Sequence, residues 1–223
     1  MNAFIRKSIA AAAALSLAAA FTGCGNKASS GSSDPSSSEI QFVTNPDEEE
    51  LGAYTVSSSG VKLYYDPEEI SPEIMSALES YFLCFERRDY DTYLKLAQPD
   101  YVECMQNFLQ TNYEYDLEHS FNGQCDNFEE NAGQGFKITR IKAEISEETT
   151  NTDGSVADRC KAYIDDLGEL FETDLYDTVS KNSDKLHSII FYIMAEADGE
   201  EFLLYSEYEI VLSEKDGKFY TFG

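Results

Sequence analysis

The chain has 223 residues and carries 16 Lys and Arg against 42 Asp and Glu, a net charge of −26. Phosphate contacts need clustered Lys and Arg, so this balance argues against a nucleic-acid binder. Hydrophobic residues make up 42% and aromatics 13%, with 15 Tyr, 14 Phe and no Trp, which excludes a disordered acidic tail too poor in apolar surface to offset its ordering entropy.

The first element is a leader. Arg6 and Lys7 close a short positive start, and residues 8–21 then read SIAAAAALSLAAAF without a charge. A positive start, an apolar middle and small residues at the cut form the layout of a secretory signal. Crossing a bilayer takes about 20 apolar residues, so this Ala-rich run is too short for a transmembrane helix. Phe21-Thr22-Gly23-Cys24 follows. FTGC resembles the lipobox of bacterial lipoproteins; Gly23 and Cys24 match the family pattern, while Phe21 and Thr22 stand where Leu and Ala or Ser are usual. The resemblance implies cleavage between Gly23 and Cys24 and acylation of Cys24 by palmitate-like chains. It also implies attachment to the extracytoplasmic face of the cell membrane, with the lipid bilayer as partner. Two acyl chains hold stably, whereas one, at about 0.8 kcal/mol per buried CH₂, binds marginally. The alternative is plain secretion with Cys24 a free thiol, which leaves an exposed, reactive sulfur. Without residues 1–23 the chain has 14 Lys and Arg against 42 acids, a net charge of −28 over 200 residues.

Residues 24–50 comprise Cys24 and a Ser/Gly-rich stretch with an acidic end and no sustained apolar period, the composition of a disordered tether. As a flexible coil it reaches roughly 25–30 Å. Residues 51–223 read as a single folded domain, with a short strand expected within 56–65. Asp66-Pro67 makes a turn, and Ser71-Pro72 caps and opens a helix to about residue 88, with Ile74, Leu78, Tyr81, Phe82 and Phe85 at helical spacing. A short helix over 90–97 and another from Pro99 follow, the latter burying Val102, Met105, Phe108 and Leu109. Residues 114–135, rich in Asn, Gly, Asp and Glu, read as a loop.

Residues 136–145 alternate as a strand whose apolar phase slips from Phe136 and Ile138 to Ile141, Ala143 and Ile145, which calls for a β-bulge near Thr139–Arg140. A turn over 151–154 leads to a helix over 156–181, with Ile164, Leu167, Phe171 and Leu175 inward. Three strands close the chain at 186–197, 202–212 and 218–222. Asp198-Gly199 and Asp216-Gly217 join them, a pair of residues suited to the positive φ angles of tight hairpins. This order indicates an α+β fold, with helices packed on one face of a curved antiparallel sheet.

The aromatic helical stretch ALESYFLCFERRDYDTYLKLA and the closing phrase DGKFY at Asp216–Tyr220 resemble the nuclear transport factor 2-like, or cystatin-like, cone. That resemblance implies a cone-shaped domain over roughly 70–223. Tyr81, Tyr101 and Tyr205 are the candidate pocket residues, with Tyr93, Tyr192 and Tyr208 beside them, since a ring with a hydroxyl handle suits a ligand cavity. The same residues serve equally as core and sheet aromatics. Some proteins of this fold are isomerases with an Asp base and a Tyr in the cone, but no Asp–Tyr pair here matches them position by position.

Other chemistry is sparse. His119 and His187 are the only histidines, neither at metal-ligand spacing, and no nucleophile elbow or phosphate loop occurs. Cys84, Cys104, Cys125 and Cys160 exclude a CxxC motif by their spacing and leave open buried thiols or one or two disulfides, Cys125 to Cys160 among them. Asp126, Glu129 and Glu130, and Asp165, Asp166 and Glu169, are oxygen-rich groups without the EF-hand pattern and read as solvated acidic faces. No metal, cofactor or catalytic residue is expected. The leading expectation is a non-catalytic lipoprotein that binds a small ligand or an envelope protein. The alternatives are an isomerase- or hydrolase-like enzyme using the cone interior and a structural accessory domain.

Overall fold

The computed structural model describes residues 51–146 and 158–223. Gly23, Cys24, the leader, the tether before residue 51 and the turn expected at 151–154 lie outside the described residues. Among the described residues the architecture is α+β: six helices and a six-stranded, curved, unclosed sheet, with the helices packed on one face of it.

The first two strands are β1 (Tyr54–Val56) and β2 (Lys62–Tyr64), an antiparallel pair where one strand is expected. Gly60, at φ 88°, turns the chain between them, and its N–H donates to the Ser57 carbonyl. β2 then pairs parallel with β3 (Lys137–Ile145), so the sheet is mixed rather than wholly antiparallel. The slip foreseen in β3 is present as a register shift between Ile138 and Arg140. β4 (Lys185–Ala197), β5 (Glu200–Lys215) and β6 (Lys218–Thr221) form the antiparallel meander, turning at Asp198-Gly199 and Asp216-Gly217 with positive φ at all four residues.

The helices are α1 (Pro72–Arg87), α2 (Tyr90–Leu96), α3 (Pro99–Tyr113), α4 (Leu117–Ala132), α5 (Arg159–Phe171) and α6 (Leu175–Asn182). The Ser71 hydroxyl caps α1 by accepting from the Ile74 N–H, as the Ser-Pro signal indicates. On α3 the buried stripe is Tyr101, Met105 and Leu109, with Val102 and Phe108 only half-buried.

Two further expectations fail. Residues 114–135 are not a loop: they hold α4, whose N-cap carboxylate, Asp116, accepts from the His119 N–H. Its apolar face is one residue per turn, Leu117, Phe121, Cys125, Phe128 and Ala132, all buried. The expected helix over 156–181 is two helices. Glu172 takes φ 55° and ends α5, and the Asp174 side chain starts α6 by accepting from the Asp177 N–H.

Candidate functional site

The site is built from aromatic residues of four elements. α1 contributes Tyr81, Phe82 and Phe85, neighbours on one helical face. α4 contributes Gln124, Asn127 and Phe128, β4 contributes Phe191, and β5 contributes Tyr205 and Tyr208. Together with Gly223 they line one partly open cavity of about 50 Å³.

The seven rings form a closed circuit. Going round it, Tyr81 meets Phe82 at 5.2 Å between centroids, Phe82 meets Phe191 at 4.4 Å, and Phe191 meets Tyr208 at 4.9 Å. Tyr208 meets Tyr205 at 6.4 Å, Tyr205 meets Phe128 at 5.1 Å, Phe128 meets Phe85 at 4.9 Å, and Phe85 returns to Tyr81 at 5.1 Å. These separations lie in or close to the range of favourable aromatic pairs, and neighbouring planes run from stacked to perpendicular.

Tyr205 and Tyr208 reach the same cavity because β5 is bulged. Residues three apart on a regular strand face opposite ways. Here Phe191 is opposite Tyr208 and Ile193 opposite Tyr205, so Ser206 and Glu207 together face the single residue Tyr192. Glu207 takes φ 53° to make the extra step. The bulge restores Tyr208 to the inner face, while Tyr192 lies under the Lys142 ammonium at 5.5 Å.

Burial raises the hydroxyl pKa of Tyr81, Tyr205 and Tyr208 above the ordinary tyrosine value, so the cavity presents neutral phenols. Its side chains include no carboxylate, imidazole, thiol, ammonium or guanidinium.

Of the three tyrosines singled out from sequence, Tyr81 and Tyr205 line the cavity and Tyr101 does not. Tyr101 is buried against Phe171 and Phe222, behind Gly223: a Cβ placed on Gly223 would meet the Tyr101 hydroxyl at 2.2 Å. Tyr93, fully buried, packs between Tyr81, Phe85 and Phe121. Gln124, Asn127 and Phe128 join the site from within residues 114–135, whose composition predicts a loop. The spacing of Leu117, Phe121, Cys125, Phe128 and Ala132 carried the signal.

A second cleft of about 340 Å³ opens where the β1–β2 turn, the end of α1 and the start of β3 meet. Four of its charges pair, and Lys62 and Arg87 also line it. Glu86 accepts from the Lys137 ammonium at 3.0 Å and the Ile138 N–H at 2.8 Å. Glu201 accepts from Arg140 Nε at 3.0 Å, Arg140 Nη2 at 2.6 Å and the Thr139 hydroxyl at 2.5 Å. These bonds brace the β3 bulge.

The remaining candidates have ordinary partners. His187 Nε2 lies 2.9 Å from Glu214 Oε2, and nearby in sequence Asp184 accepts from the Lys215 ammonium and the Asp216 N–H. His119 is exposed on α4 beside the Tyr115 ring. Asp126 and Glu129 share the Arg88 guanidinium, Asp165 pairs with Lys161, and no group of three or more metal-ligating side chains occurs among the described residues. Cys84, Cys104, Cys125 and Cys160 are all free thiols, and burial raises the pKa of Cys125 and Cys160 to about 11. No helix among the described residues is long and apolar enough to cross a membrane. Compared with known protein families, curated proteins and solved structures, the chain matches none.

Proposed function

We propose that the protein is a lipid-anchored extracytoplasmic binding module that takes a small ligand into the seven-ring cavity. The ring circuit carries this reading. Seven aromatic residues from four elements converge on space they do not fill, whereas a pure core would close it at crystal-like density. Rings with a few amides suit binding, while acid–base catalysis needs a titratable group within hydrogen-bond reach of the reacting atoms. The FTGC sequence and the leader's positive start and charge-free run over residues 8–21 support the anchor, and a mature net charge of −28 would hold the domain clear of anionic lipid heads.

Two measurements test the two halves. Cys24→Ala should move the protein from the membrane to the soluble fraction, and unchanged retention would sink the anchor. With no Trp in the chain, the fluorescence comes from its 15 tyrosines, of which Tyr81, Tyr205 and Tyr208 line the cavity. Titration with small probes should saturate and should raise the melting temperature. If neither compact neutral nor compact cationic probes saturate the signal, the binding reading fails.

A further inference from the structure

We infer that the ligand group held by the ring circuit is a quaternary ammonium, a trimethylammonium head on a slender chain; this rests on the binding reading above. Three observations meet here. The first is size. A water needs about 10–15 Å³ of such space, so a 50 Å³ cavity takes a group of roughly three to five heavy atoms. A nitrogen with three methyl groups and one methylene is of that size, and drug-sized molecules are too large to be engulfed.

The second observation is the wall. Tyr81, Phe82, Phe85, Phe128, Phe191 and Tyr208, with Tyr205, surround the space. The negative faces of aromatic rings attract a cation that has no N–H hydrogen bonds to lose on leaving water. An ordinary ammonium needs an acceptor for each of its three N–H groups, whereas seven of the ten lining residues present rings. The third observation is charge. The lining adds no cation to repel the ligand, and residues 51–223 carry 13 Lys and Arg against 36 acids. The field of such a domain concentrates cations and disfavours anions. Gln124 and Asn127, in the same lining, offer amides to a polar chain trailing from the head.

The test compares choline with 3,3-dimethyl-1-butanol, its neutral carbon isostere, by titration of the full chain at low ionic strength. Choline is expected to bind at least about tenfold more tightly, within the range of desolvated cation–π contacts. Equal or tighter binding of the alcohol would overturn this inference while leaving the binding reading intact. Saturation by neither would overturn both. Tyr208→Leu should cost choline about tenfold and the alcohol much less, while Tyr208→Phe keeps the preference; equal losses for both ligands would count against a role for the ring face. If Tyr208→Leu does not fold, Asn127→Lys on the helix side serves instead. It should abolish choline binding and spare the alcohol, and unchanged choline affinity would refute the inference.

Discussion

Phe121 shows how much one side chain carries in this protein. It is fully buried and touches Phe85 at 5.4 Å, Tyr90 at 5.5 Å and Tyr93 at 4.9 Å between ring centroids. It thus backs the α1 side of the ring circuit without lining the cavity. Removing its ring leaves a void that close-packed neighbours cannot fill, so Phe121→Ala should lower stability by about 3–5 kcal/mol. Urea denaturation checks this, and a loss under 1 kcal/mol would show that the aromatic layer is loosely packed. Glu207 acts differently, through backbone alone. Its left-handed conformation makes the bulge that turns Tyr208 inward, and nothing in the alternation of β5 announces it.

Gly168 governs the junction of α5 and α6. A Cβ there would meet the Thr173 carbonyl oxygen at 2.7 Å and Leu175 N at 3.3 Å, backbone atoms that cannot step aside as a flexible side chain would. The Gly168 carbonyl also accepts from the Thr173 N–H and so closes the turn. Gly168→Ala should therefore cost about 1–3 kcal/mol despite the better helix propensity of Ala. A stabilised variant in thermal melting would refute the close approach. The split helix and the missed α4 have related causes. Glu172-Thr173-Asp174 contains a helix start, but the apolar positions Ile164, Leu167, Phe171 and Leu175 keep helical phase across it. In α4 the polar residues outnumber the apolar stripe, so composition pointed to a loop while spacing pointed to a helix. By contrast, the Ser71-Pro72 start and both Asp-Gly hairpins were legible because each depends on local backbone chemistry, and the β3 bulge because it shows as a slip in apolar phase.

Buried phenols couple the whole molecule to pH. Desolvation raises Tyr81, Tyr93, Tyr101, Tyr163, Tyr205 and Tyr208 above the ordinary value of 10.0, so the folded state resists losing these protons while the unfolded chain gives them up. Their contribution is fully present below pH 10 and is lost as pH rises beyond it. Ultraviolet titration should show these tyrosinates appearing only with cooperative unfolding above pH 10. Their reversible ionisation in a folded chain would contradict the packing. The amino-acid sequence alone was enough to read the α+β class, the meander and the Ser71 cap. All of these rest on residue chemistry over short spans, where turn geometry and periodicity act. The cavity depended on tertiary packing: whether Tyr81, Tyr101 or Tyr205 faces a void is set by how α1, α4, β4 and β5 close on one another. A bulge of one residue and a sparsely apolar helix decided it, bringing in Phe128 and Tyr208 and leaving Tyr101 in the core.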